Sequence, residues 1–237
     1  MLDFLVQLVP FLPDQDTASE LLKLVTTTEV LQNKDTAVQK KAYRALVRMC
    51  ESNNAVGERC IRDNIEQVVE ELIEKNHNVA ASAKKDRIVL LATIIPILPA
   101  DKLHVIPSII PEAVLSTKEA NEATRAAAYD LLVGMAEKMA KGGVIKRDLI
   151  RGAQDMQEDE EDAEPVQNEA EASIQEYITM VAAGLVGTSP HMISATITAL
   201  SRLLFEYHGK LALLIARLKY GLADSGCNRK TTITYHQ

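Results

Sequence analysis

Residues Lys41–Glu51 read KAYRALVRMCE, and 86 residues further on Ala127–Glu137 read AAYDLLVGMAE. Ala42, Tyr43, Leu46, Val47, Met49 and Glu51 return in register as Ala128, Tyr129, Leu132, Val133, Met135 and Glu137. A separate pair keeps the same offset: LVPFLPDQD (Leu8–Asp16) against IIPILPADK (Ile94–Lys102), with Gly57 returning as Gly143. An intermediate copy lies half-way, because KKDRIVLLAT from Lys84 matches KKAYRALVRM from Lys40 at an offset of 44. Independent segments sharing one offset define a repeat. Half of 86 is about 43 residues, inside the range of HEAT and armadillo helical repeats.

Within each copy the apolar spacing is helical. Val38, Ala42, Ala45, Leu46 and Met49 fall at i, i+4, i+7, i+8 and i+11, one stripe on a 3.6-residue period, and Thr124, Ala128, Leu131, Leu132 and Met135 repeat it. Small alanines in the first turns admit a close neighbour, and larger residues fill the far end. The expected fold is all-α, a HEAT- or armadillo-like solenoid of about four to five helix pairs without a sheet. The map is a helix over 1–12, then pairs 15–31 with 36–52, 58–75 with 79–98, and 101–115 with 119–140. A further helix starts near Val144, is interrupted, resumes over 173–186 and pairs with 190–207; a last one covers 209–220. Pro13 and Pro99 mark helix ends, Pro190 a first turn, and Pro107 and Pro111 a kinked or split helix. Asp35 and Ser189 are expected N-caps, and Gly142-Gly143 a C-terminal glycine cap.

The interruption carries the charge. The chain has 237 residues and a net charge of −7, but nine of its 33 acidic residues lie between Gly152 and Ala172, where there is no Lys or Arg. The remainder is close to neutral. Four segments follow: 1–152 helical repeats, 153–171 an acidic disordered insert, 172–220 continuing repeat, and 221–237 an irregular or disordered tail. The insert is either a solvated loop or a docking strip for basic partners, able to compete with RNA for neighbouring cations.

The rest of the composition narrows the class. Aromatic residues make up 4% with no Trp, a palette for packed helices rather than an antiparallel sheet. Cys50, Cys60 and Cys227 form no CxxC and read as buried thiols in a reducing compartment. MLDFLVQLVPFLP lacks the basic start of a signal peptide, and no run is long enough for a membrane span, so a soluble intracellular protein is expected. Its apolar start is unlike the polar cap of a solenoid, which suggests a piece of a longer array.

Catalytic signatures are missing. His77, His104, His191, His208 and His236 have no metal-ligand spacing, and there is no GxSxG, Walker loop or GxGxxG. No catalytic residue, metal or cofactor is assigned. The chemistry that does stand out is positive charge. Lys40, Lys41, Arg44 and Arg48 face away from the Ala42–Met49 stripe, and Lys84, Lys85 and Arg87 recur in the next unit. They form either a solvated helix face or a basic stripe contacting RNA phosphates. Lys138, Lys141, Lys146, Arg147 and Arg151 form a second cluster. With no aromatic residues interleaved, contact with RNA is expected to be with backbone only.

The segment EASIQEYITMVAAGLVGTSPHMISATITALSRLLFEY (Glu171–Tyr207), with NEATRAAAYDLLVGMAEKM and the acidic insert before it, resembles the nucleolar HEAT-repeat family of ribosomal RNA-processing protein 12. The resemblance covers residues 1–208 and is most specific over 121–207. It implies a non-enzymatic, karyopherin-like scaffold of the nucleus and nucleolus. Its implied work is pre-rRNA processing, small-subunit assembly and pre-ribosome export, with pre-ribosomal RNA, assembly-factor or ribosomal proteins and nuclear transport factors as partners. The alternative is a transport adaptor binding protein cargo or a small GTPase. Family members are much longer. GLADSGCNRKTTITYHQ, beyond Tyr220, departs from the repeat pattern, as a truncation, splice form or gene-model error would.

Overall fold

The computed structural model describes residues 2–51, 54–75, 79–146, 149–150 and 169–206. The chain opens with α1 (Leu2–Leu8) and a 3-10 turn (Val9–Phe11), then α2 (Gln15–Thr26), α3 (Thr28–Leu31) and α4 (Thr36–Met49). Next come α5 (Ala55–Asp63), α6 (Ile65–Val69) and a π-turn (Glu70–Glu74), leading to α7 (Ala81–Ile94) with its own 3-10 turn (Ile95–Ile97). After a 3-10 turn at Leu103–Val105 follow α8 (Ile106–Ser116) and α9 (Glu122–Ala140), and α10 (Ile174–Ala182) and α11 (Pro190–Glu206) complete the helices.

The long helices stack in order: α4 packs on α1, α7 on α4, and α9 on α7. A second layer runs beside them, with α5 against α2 and α8 against α9. α10 and α11 pack on both α8 and α9. α2, α4, α5 and α10 are amphipathic, α7 and α9 carry apolar residues around more of their circumference, and contacts between neighbouring units join them in one continuous core. Ala42, Ala45, Leu46 and Met49 are buried, as are Ala128, Leu131, Leu132 and Met135.

The helix starts carry side-chain caps. Asp35 accepts from the backbone N–H of Ala37 at 2.9 Å, Asn54 from Gly57 at 2.9 Å, Asn121 from Thr124 at 3.1 Å and Ser189 from Met192 at 3.4 Å. Gly142, at φ +82°, takes the left-handed turn after α9, the conformation of a glycine cap. The repeated prolines Pro10 and Pro96 sit at the start of the two 3-10 turns. The helices end at these turns, and carbonyls beside them accept from side chains further along the chain. Asn54 donates to Val9 O at 2.8 Å, and Lys138 donates to Leu98 O.

Three expectations need correction. The helix expected at Val144 is a strand, β1 (Val144–Lys146), paired antiparallel with β2 (Glu169–Glu171) in a two-stranded ribbon. Gly142 and Gly143, at φ +82° and +139°, break the helical path, and Ile145 is anchored in the core. Residues 169–171, assigned to the insert, are thus ordered as β2. The runs 15–31 and 58–75 are each divided. Thr27 separates α2 from α3, and Asn64 separates α5 from α6. The acidic residues 155–164, the helix expected at 209–220 and the 221–237 tail lie outside the described residues.

Candidate nucleic-acid interface

α4 is built to show one edge to solvent. Its buried positions are Gln39, Ala42, Tyr43, Ala45, Leu46 and Met49. Lys40, Arg44 and Arg48 follow one another at single turns on the other side, about 6 Å apart along the axis. Lys40 and Arg44 are exposed and Arg48 is half-buried. None of the three has an ion pair among the described residues.

The other sequence candidates divide. Lys41 leans toward the preceding unit and pairs with Asp3 of α1 at 2.6 Å. On α7, Lys85 is exposed and unpaired among the described residues, whereas half-buried Lys84 is bound to Glu119. Arg87, read as part of the basic face, is 4% exposed. Its Nε donates to both carboxylate oxygens of Glu112, at 2.9 and 3.0 Å. Its Nη1 donates to Tyr43 Oη at 3.0 Å and to Leu72 O at 2.6 Å, inside the π-turn. Burial opposes the guanidinium charge, but Glu112 and Tyr43 outweigh it and keep the group firmly protonated. Arg87 is therefore a stitch joining α4, the π-turn, α7 and α8.

Burial also fixes the register between α4 and α7. The buried set Ala42, Tyr43, Ala45, Leu46 and Met49 corresponds to Arg87, Ile88, Leu90, Leu91 and Ile94, an offset of 45 rather than 44. Arg87 falls opposite Tyr43 at an offset of 44 and opposite Ala42 at 45, both buried, so either register places it on the core side. In the corrected register Lys40 matches Lys85, while Arg44 and Arg48 match Val89 and Thr93. On α9 the same edge carries Ala126, Asp130 and Gly134. The positive edge is one helix wide, with Lys85 beside it, and does not run along the array. In the second cluster, Lys138 is committed to the Leu98 carbonyl. Burial, with Lys141 nearby, lowers its pKa.

Among the described residues no group of three or more His, Cys, Asp or Glu is placed to hold a metal ion. None of the described helices is long and apolar enough to cross a membrane. The Cys50 thiol is pushed up to about 12, chiefly by burial and then by Glu58, which leaves it protonated and a poor nucleophile.

The sequence that builds this array is similar to known proteins over nearly nine-tenths of its length. Ribosomal RNA-processing protein 12 of Saccharomyces cerevisiae is 31% identical over 212 residues, 89% of this chain. The chain belongs to the ribosomal RNA-processing protein 12 family. The RRP12-like protein of Homo sapiens is 31% identical over 209 residues, 88% of the chain. The putative ribosomal RNA-processing protein 12 of Schizosaccharomyces pombe is 28% identical over 207 residues. These family members are far longer: the chain spans 16%, 14% and 16% of them, respectively. No protein-family profile matches the chain.

Proposed function

We propose that this chain is a non-enzymatic scaffold segment in ribosome biogenesis, holding pre-ribosomal RNA and proteins during rRNA processing. The observation that carries the reading is similarity across nearly nine-tenths of the chain to proteins named for ribosomal RNA processing. The fold agrees with it, since stacked helix pairs offer long surfaces for partners. Lys40, Arg44, Arg48 and Lys85 form the RNA-contacting edge, neutralising phosphates and releasing counterions. Lys41 and Lys84, already paired within the fold, join it only by exchanging Asp3 and Glu119 for phosphate. The segment works in the nucleus and nucleolus, within small-subunit precursors bound for export.

The test is purification of the tagged chain from nuclear extract together with its RNA and proteins. The proposal expects small-subunit rRNA precursors and assembly proteins above a tag-only control. Recovery of soluble protein cargo or a small GTPase without precursor RNA would replace it with a transport-adaptor role.

A further inference from the structure

Beside the positive edge lies a cleft that the backbone-only expectation leaves unexplained. It opens between the π-turn and α8, over the first turns of α7, with a volume of about 440 Å3. Clefts that hold small ligands run from roughly 300 to 1,000 Å3. Its walls combine apolar Ile73, Val79, Ile109 and Leu115 with two ion pairs, Arg87 with Glu112 and Lys84 with Glu119. The cleft adjoins the α4 edge, because the start of α7 is tied to the start of α4. Ala80 N donates to the side chain of Gln39 at 3.0 Å, and Ser82 Oγ to Thr36 O at 3.4 Å. Lys40 follows Gln39 directly, and Lys85 follows Lys84.

The charges around the cleft cancel. Lys84 is matched by Glu119 and Arg87 by Glu112, so the cavity suits neither a phosphate nor an isolated cation. It suits a flat, neutral group with apolar faces and a polar edge. Lys84 and Glu119 remain partly exposed, at 27% and 37% of their side chains, so an entering edge can reach both. The pair offers an ammonium donor next to a two-oxygen acceptor. The complementary edge is one acceptor next to two donors, and among nucleobases that is the pairing edge of guanine, with O6 beside N1–H and the N2 amino group.

We propose that this cleft receives a single unstacked guanine of an RNA strand whose phosphates lie on Lys40, Arg44 and Lys85. The carboxylate of Glu119 accepts from N1–H and N2–H, Lys84 donates to O6, and the apolar walls sandwich the ring. Sequence-specific RNA recognition commonly splays single-stranded bases out and bonds their pairing edges. This inference rests on the RNA reading above and deepens it, adding base selectivity to a surface that otherwise reads only backbone.

Fluorescence anisotropy with single-stranded 11-mers, uridine throughout except for one central A, C, G or U, tests it. The guanine oligomer should bind about tenfold more tightly than the other three, the usual discrimination of one bidentate contact. Glu119→Gln and Val79→Trp, the second filling the cleft, should each erase that preference; Val79→Trp should leave affinity for the all-uridine strand unchanged, while Glu119→Gln, which frees Lys84, should strengthen all four oligomers alike. Circular dichroism on both variants confirms that the fold is kept. Lys40→Glu with Arg44→Glu should weaken all four oligomers alike. Equal binding of the four oligomers, or a guanine preference that survives both cleft variants, overturns the guanine site while the RNA reading stands. If no oligomer binds, or the Lys40/Arg44 variant changes nothing, the RNA edge itself fails and the site with it. Peptide rather than RNA capture by the cleft would also overturn it.

Discussion

At the residue scale, two glycines separate packing from propensity. A Cβ on Gly57 would lie 2.6 Å from Met49 O and 2.8 Å from the Asn54 side chain, whereas one on Gly134 meets nothing within 4 Å. Both are helical, so alanine gains about 1 kcal/mol of intrinsic preference at either site. At Gly134 that gain stands alone, and Gly134→Ala should raise stability by about 0.5–1 kcal/mol in chemical denaturation. At Gly57 the clash falls on backbone and on the α5 cap, and Gly57→Ala should lower stability by about 1–3 kcal/mol. Equal effects at the two sites would contradict the packing described. Gly57 was visible in the sequence as a repeated position; the reason, close approach to the end of α4, was not.

At the element scale, the same register that places the helices decides which charges are free. Most element positions were legible, because stripes such as Ala128–Leu131–Leu132–Met135 allow one period only. Less was legible where local rules compete. Gly142-Gly143 reads equally as a cap before a helix or as the entry to a strand, and only the seating of Ile145 in the core and the pairing with β2 decide. Arg87 was assigned to the surface because charge is rarely buried, and Tyr43, Glu112 and Leu72 O, which make its burial tolerable, come from three other elements. That stitch has a measurable consequence. Arg87→Met removes the cation from Glu112 and should cost about 3–5 kcal/mol, as losing one partner of a buried pair does. Adding Glu112→Leu should restore most of it, since an apolar pair of similar volume replaces the buried ion pair at little loss. A harmless single substitution would show that the contact does not hold α4, α7 and α8 together.

At the scale of the molecule, the repeat offset was enough to give an all-helical array, and the string around SPHMISATITALSRLLFE enough to suggest the family. The extent of the candidate surface was not legible. Sequence places Lys40, Lys41, Arg44, Arg48, Lys84 and Lys85 in one stripe, but ion pairing to Asp3 and Glu119 withdraws two of them, and α9 presents Asp130 where α4 presents Arg44. A cleft formed by residues from the π-turn, α7 and α8 leaves no signature in any one segment. The proposed contact of pre-ribosomal RNA with the α4 edge can be read out in nuclear extract. Ultraviolet crosslinking there identifies both the RNA and the peptides joined to it. Small-subunit rRNA precursor should be joined to peptides from Thr36–Met49 and the first turns of α7, and the crosslink should be lost when Lys40, Arg44 and Arg48 are changed to Glu. Crosslinks confined to other helices, or an undiminished yield from the charge-reversed chain, would contradict it.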